Sequence, residues 1–408
     1  MKPKLNNKNI IKNAKDIYDN YKICDNCFGR LFKEIEFGKP NEKIGEKLRN
    51  NLNISNKIHQ KDCWLCFGLL EEINKFVVIS LKSLKNYDFD TFLVGTIIDE
   101  EILSKEKILV ENFNLKFFES IKNELNRKIG IILENKLSKK VDFNNPNIMI
   151  IIDTQFNTIY LQIKSLYIYG RYKKLKRGIP QTKWFCKICR GIGCKSCRYS
   201  GKMYNNSIEE LIAKPALKMT KGEDESFHGA GREDIDVKML GNGRPFVLEI
   251  KNPKKREIDL NELKEKINKK NIKKIKVMNL RFSDKNEIKI IKSKKFKKIY
   301  RVEIFCDKNF DIEKLKKAAL SLQGKIISQY TPTRVARRRA NIYRDRKIYK
   351  ISIESIENKE ATLKIESQSG TYIKELITGD DGKTKPSISE LNGFPCYVKK
   401  LDVISVKE

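Results

Sequence analysis

The chain has 408 residues, 40% of them hydrophobic, with 20 Phe and 15 Tyr. That is too long for one ordinary core and too apolar for a mainly disordered chain, so two or three folded domains are expected. Its 85 Lys and Arg outnumber 52 Asp and Glu, a net charge of +33 that favours a polyanionic partner through phosphate neutralisation and counterion release. No apolar run approaches a membrane span, and the polar, lysine-rich start carries no apolar signal core, so a cytoplasmic location is expected.

Eight of the ten cysteines form four Cys-x-x-Cys pairs. In a cytosolic chain such pairs point to metal before disulfides. Residues 1–72 hold the first two, Cys24/Cys27 and Cys63/Cys66, each followed by Phe-Gly. Two turns with two thiolates each close a tetrahedral structural zinc site. The alternative, a pair of redox motifs, lacks a thioredoxin-like surround. Over residues 73–183 the pattern is mixed. The runs 76–81 and 148–152 read as strands, and 113–133 reads as mostly helix. This stretch ends in Tyr169-Gly-Arg-Tyr-Lys-Lys-Leu-Lys-Arg-Gly-Ile-Pro-Gln-Thr182. Tyrosines interleaved with basic residues there suit stacking on bases, against the alternative of a solvated basic loop.

A Cys-rich insert, 184–200, opens the third part of the chain, residues 184–408. Only four residues separate its pairs, Cys186/Cys189 and Cys194/Cys197, and two of those are glycines, which permit the tight reversal a second zinc site needs. A helix interrupted by Pro215 is expected over 208–219, and a buried strand over 246–250. Asp259 with Glu262 signals a capping box and a helix start. Strands at 272–280 and 299–306 flank a connection rich in lysine (Lys292, Lys294, Lys295, Lys297, Lys298). An amphipathic helix over Ile312–Leu322 stops at Gly324, and strands follow at 347–353 and 361–366. The class is α+β.

The most informative segment runs from Phe227 to Phe246. Gly229 and Gly231 frame a turn with Arg232 and Asp234 two residues apart. Glycine lets the backbone bend and a large ligand come close. Arg232 can hold a phosphate or carboxylate by paired hydrogen bonds, and Asp234 stands at a cleft lip as nucleophile or base. The bland alternative is a surface ion pair.

Residues 184–408 resemble the pseudouridine synthases, and nearly the whole chain resembles the archaeal and eukaryotic T-arm tRNA pseudouridine synthases of family ten. Gly231-Arg232-Glu233-Asp234 is similar to the catalytic turn of that superfamily. Lys298-Ile299-Tyr300-Arg301-Val302 resembles its base-stacking tyrosine strand, and Gly370-Thr371-Tyr372-Ile373-Lys374 its third motif. Tyr169-Gly-Arg-Tyr-Lys-Lys-Leu175 and Gly241-Asn-Gly-Arg-Pro-Phe-Val-Leu-Glu249, followed by Lys251-Asn-Pro-Lys-Lys-Arg256, resemble family ten in particular. The resemblance implies an N-terminal zinc-bearing, THUMP-like RNA-binding part and a catalytic fold with a central antiparallel sheet. It implies isomerisation of uridine to pseudouridine at tRNA positions 54 and 55, with structural zinc and no organic cofactor. Asp234 would carry the chemistry, Tyr300 would stack on the flipped base, and Lys374 would face the Asp and keep it charged. Relatives often have Arg where Lys374 stands, so the planar fork is lost at that position. Arg232, Arg244 and Tyr372 are further substrate-binding candidates. So is the loop Gln329-Tyr-Thr-Pro-Thr-Arg-Val-Ala-Arg-Arg-Arg339, through Arg334, Arg337 and Arg338.

Two rival readings stay open at this point. Asp236, Glu249 and Lys251 reproduce an Asp…Glu-x-Lys pattern of magnesium nucleases. A zinc-bearing RNA-binding protein without catalysis is the other. Sequence also leaves open whether Asp234 attacks the ribose or assists loss of uracilate.

Overall fold

The computed structural model describes residues 8–294, 296–336 and 339–407. They divide between residues 164 and 165 into two compact units, with 254–256 belonging to the first.

The first unit joins what the sequence separated at residue 72. A single apolar core runs from Ile10 and Ile17 through the buried cysteines to Phe92, Leu133 and Ile150. Its sheet has four strands in the order Lys140–Val141, Thr91–Ile97, Ile148–Asp153, Thr158–Ile163, the middle pair parallel and the last pair antiparallel. The run 76–81, expected as a strand, lies in the helix Ile73–Leu84. Its buried residues, Ile73, Phe76, Val77, Ser80 and Leu84, fall on one helical face, and Val78 is left exposed. Tertiary packing of that stripe overrides the strand preference of its β-branched residues. The stretch 113–133 is helical only from Ile121 onward, in the helix Ile121–Leu137 capped by Ser120.

The repeated Cys-x-x-Cys-Phe-Gly is repeated in sequence only. Cys24 and Cys27 sit at the start of the helix Asp25–Leu31, where a Cβ on Gly29 would lie 1.8 Å from the Asn41 carbonyl oxygen. Gly29 therefore exists for the close approach of the neighbouring helix Asn41–Asn51. Cys66-Phe67-Gly68 instead forms a left-handed turn, with φ of 47° at Phe67 and 79° at Gly68.

The second unit is built on one large sheet. In spatial order its strands are Thr384–Lys385, Ile326–Tyr330, Tyr343–Glu357, Glu360–Ser367, Lys297–Cys306, Cys396–Lys407, Lys238–Lys251, Leu166–Lys174 and Ile275–Ser283. All contacts are antiparallel except that of Cys396–Lys407 with Lys238–Lys251. The expected boundary at 183/184 thus falls at 164/165. Residues 166–174 form an almost continuously buried strand paired on both edges, so they belong to this sheet rather than to an RNA-binding domain. Burial follows: Tyr172 is fully buried and Tyr169 is covered by the Arg281 guanidinium 4.2 Å from its ring. Neither offers a face to a base.

The long strand Lys238–Lys251 changes partner along its length. Its first two residues pair with Asp402 and Val403, and its last six pair with the strand Asp224–Gly229. The turn that follows Gly229 fills the gap between them, tied down where Ala230 N donates to the Pro245 carbonyl at 2.9 Å. Register sets what stands beside it. Tyr300 pairs with Val403, Val403 with Met239, and Met239 with Lys174. Directly paired residues share a face, so Tyr300 and Lys174 project on the same side of the sheet.

Candidate active site

A cleft of about 1150 Å³ opens on that face, lined among others by Arg232, Asp234, Lys298, Tyr300, Arg334, Tyr372 and Lys374. The three sequence motifs and part of the arginine loop meet in it.

The turn carrying Asp234 is held from beneath by buried polar groups. Glu233, pointing inward, accepts from the Tyr172 hydroxyl at 2.9 Å and from Arg244 Nε at 2.8 Å. Both side chains of the Glu233–Arg244 pair are 1% exposed. Arg244 Nη1 also donates to the Ala230 carbonyl at 2.9 Å, and Gln181 donates to the Gly231 carbonyl at 3.0 Å. Lys174 Nζ, fully buried, donates to the carbonyls of Asp234 at 3.0 Å and Ile235 at 2.8 Å. Burial lowers its ammonium to about 8, and nearby Glu233, Asp236 and Asp234 work against that fall. Gly231 has φ of 82°, and a Cβ there would lie 3.0 Å from Lys298 Nζ. Arg244, expected to bind substrate, is thus a buried brace of the turn.

Above the turn Asp234 stays one-third exposed and meets two cations. Arg334 Nη1 donates to its Oδ2 at 2.7 Å, and Lys374 Nζ lies 3.7 Å away. Lys374 bonds more closely to Asp236, at 2.7 Å. The closest cation of Asp234 is therefore Arg334, a loop residue expected to grip RNA backbone. Its guanidinium forks onto Glu375 at 2.7 and 3.0 Å while its remaining arm reaches Asp234. Burial works against that charge, and the bonds to Glu375 and Asp234 hold the Arg334 pKa above its ordinary value. The fork missing from position 374 is supplied from another loop. Arg337 and Arg338 lie outside the described residues.

Tyr300 is 8% exposed, and burial pushes its hydroxyl up to about 12. It presents a neutral ring to the cleft. Tyr372 is equally buried, fixed by its backbone bonds to Gln329, and its hydroxyl has no hydrogen-bond partner among the described residues. A buried, unsatisfied hydroxyl in a cleft wall fits a ligand that completes its bonding. Arg232 is exposed, its guanidinium 5.3 Å from the Trp184 ring centroid. Lys298, read as part of a lysine-rich connection, is 5% exposed and lines the cleft. Burial, with Arg244 beside it, brings its ammonium down to about 7. Strand alternation through Tyr300 was the available sign that Lys298 points inward.

The nuclease pattern does not assemble. Asp236 is bonded to Lys374, Glu249 to His228 at 3.1 Å and to Tyr167 at 3.2 Å, and Lys251 to Asp224.

Two cysteine sets do assemble. Cys24, Cys27, Cys63 and Cys66 converge with all sulfurs within 4.8 Å, and so do Cys186, Cys189, Cys194 and Cys197. A zinc ion with four bonds of about 2.3 Å requires sulfurs about 3.8 Å apart at a tetrahedron edge. Cys24 and Cys66 are 3.9 Å apart, Cys189 and Cys197 3.8 Å, and Cys194 and Cys197 3.7 Å. Backbone N–H groups of Gly193 and Gly201 also point at sulfurs of the second set, at 3.2 and 3.3 Å. Either set can hold a metal.

Comparison with known proteins places this geometry. The family model "Pus10, C-terminal" matches residues 167–407, and "Pus10 THUMP domain, archaeal" matches 78–153. The chain belongs to the Pus10 family. Three relatives, each named tRNA pseudouridine synthase Pus10, illustrate the distance within it. The protein of Methanothrix thermoacetophila is 36% identical, over 94% of this chain and 91% of its own. That of Methanocaldococcus jannaschii is 40% identical, over 96% and 94%. That of Methanococcus voltae is 43% identical, over 89% and 71%. Pus10 proteins are thus the frame for this cleft, and the THUMP match lies within the first unit. No helix among the described residues is long and apolar enough to cross a membrane.

Proposed function

We propose that this chain isomerises uridine to pseudouridine at positions 54 and 55 in the T arm of tRNA. The observation that carries the reading is Asp234, held by a buried brace and flanked by Arg334 and Lys374 in a cleft beside the Tyr300 ring. The reaction needs the glycosidic bond to C1′ broken, the uracil turned, and C5 joined to C1′, with the C5 proton lost and N1 protonated. A carboxylate serves the first step by attacking C1′ or by stabilising the charge left there. A neutral acid would serve neither, and Arg334 and Lys374 stand against the Asp234 carboxylate. The cleft exceeds the volume of one nucleotide's base, so a flipped uridine fits with its neighbours. Tyr300 stacks on the base, Tyr372 offers its unsatisfied hydroxyl, and Arg232 takes phosphate at the rim.

Each cysteine set would hold a structural zinc ion that supplies no chemistry to the isomerisation, the first tying the core of the first unit and the second the knuckle beside the cleft. Thiolate sites and a tRNA substrate fit a reducing cytoplasm. The first unit, through its THUMP domain, would bind the tRNA away from the target.

The test is Asp234→Asn with pseudouridine mapped on an unmodified tRNA. Formation is expected to stop at both positions while tRNA affinity stays within about twofold. Activity retained in that variant refutes the assignment.

A further inference from the structure

We infer that the second cysteine knuckle, residues 184–204, is a docking platform for the unpaired RNA strand that flanks the nucleotide in the cleft. The inference rests on the proposed function for the identity of the bound nucleotide, and on four observations for the platform itself.

The knuckle is part of the cleft wall: Trp184, Phe185, Lys187 and Met203 line it together with Asp234 and Tyr300. Arg232 of the catalytic turn lies against the Trp184 ring, so the knuckle and the turn are physically joined. Second, the knuckle turns its large apolar side chains outward. Ile192 is 92% exposed, Ile188 and Tyr199 are each 70% exposed, and Phe185 is 61% exposed. A segment of this size, folded around four cysteines, has no core in which to bury them. Third, between residues 184 and 208 there are five basic residues, Lys187, Arg190, Lys195, Arg198 and Lys202, and no acidic one. Only Lys202 is engaged with an acid, Glu210, among the ion pairs of the described residues. Fourth, Arg190, Arg198 and Tyr199 all adopt left-handed backbone, with φ of 52°, 51° and 59°. Non-glycine residues hold that conformation at a cost, and it concentrates at sites of recognition.

Exposed apolar and aromatic faces interleaved with uncompensated cations match single-stranded nucleic acid. The cations track phosphates, and the flat side chains receive bases that no partner strand covers. A paired stem presents phosphates and grooves but no base faces, so it would leave Ile192 and Tyr199 without a function. A protein partner would be matched by mixed charge at the rim rather than by one sign throughout. Position points the same way: a base pulled into the cleft unstacks from its neighbours and exposes their faces, and the knuckle is the wall they would meet.

The test compares wild-type enzyme with Ile192→Ser/Tyr199→Ser and with Lys187→Gln/Arg190→Gln/Lys195→Gln/Arg198→Gln on one unmodified tRNA. All these side chains are exposed, and unchanged zinc content shows the knuckle intact. The first variant is expected to bind about tenfold more weakly, from loss of stacking. The second should flatten the dependence of affinity on salt, by about 0.7 in logarithmic slope for each single-strand phosphate that is no longer neutralised. As a measurement free of variants, 4-thiouridine placed beside the target uridine should cross-link to a peptide within 184–204. Unchanged affinity and salt slope, with cross-links elsewhere, overturn the inference and leave the patch to a protein partner. If wild-type enzyme forms no pseudouridine, the proposed function fails, and the binding and cross-linking results still decide the platform.

Discussion

Replacing Glu233 with Ala is the sharpest probe of how this fold positions its reactive carboxylate. Glu233 neighbours Asp234 but points the other way, into a site where it accepts from Tyr172 and Arg244. Removing it leaves the Arg244 guanidinium buried, with only the Ala230 carbonyl to receive its bonds. Breaking a fully buried pair from one side costs about 3–5 kcal/mol, because the remaining charge is uncompensated. For a unit of this size each kcal/mol lowers the melting temperature by about 2–4 °C, so a drop of about 6–20 °C is expected by calorimetry. The double variant Glu233→Ala/Arg244→Met removes the orphan charge with its partner. It should lose less stability than Glu233→Ala alone, a strongly non-additive cycle. Activity should fall in both, since the turn loses its brace. A single variant within about 1 kcal/mol of wild type, or strictly additive losses, would refute the idea that this pair holds the turn.

Other outcomes follow from the same geometry. Arg334→Lys keeps the charge but loses the fork that spans Glu375 and Asp234, so kcat/KM should fall about tenfold or more, given about 1.5–3 kcal/mol for a charged hydrogen bond. Wild-type kinetics would show that the loop closes on Asp234 without consequence. Lys298 has its ammonium lowered from the ordinary 10.5 to about 7, so the folded protein binds fewer protons than the unfolded one between those values, and stability rises with pH across that window. Lys298→Met should remove that slope and raise stability at pH 7, as read from denaturant midpoints, with Glu233, Arg244 and Arg339 unchanged as its charged neighbours. Cys24→Ser should abolish the cooperative melting of the first unit and spare that of the second, because the cysteines lie within the first unit's own core. Two unshifted transitions would rule that out.

That Asp234, Tyr300 and Lys374 belong together was legible because each stands in a short segment whose spacing its proposed role constrains. Asp234 needs its glycine turn, Tyr300 its strand, and Lys374 the turn before its helix. What supports them was not legible, since support is a matter of long-range register. Glu233 reads as one more acid in the motif until Tyr172, sixty-one residues earlier, proves to be its partner. Arg334 reads as backbone-binding because it sits among arginines, and only folding brings it 2.7 Å from a carboxylate a hundred residues away. Helix Ile73–Leu84 departs from the expected strand for a related reason: its β-branched run states a local preference that packing on the first unit's core overrules. The boundary at 164/165 was hidden because residues 166–174 are basic and aromatic, a composition shared by an RNA-binding face and by this buried strand.

The partner change along Lys238–Lys251 makes the assembly of the site a matter of timing. One end of the gap that houses the Asp234 turn is formed by Cys396–Lys407, which also pairs with the Tyr300 strand and receives Arg177 on the Leu401 carbonyl. Asp234 leaves the ribosome more than 160 residues before that strand does. During synthesis the growing chain therefore carries Asp234, Tyr300, Arg334 and Lys374 before it has the frame that orients them, and contacts of such sequence separation form late. The cleft takes its shape only when the sheet is closed by a strand made more than 160 residues after the Asp234 turn.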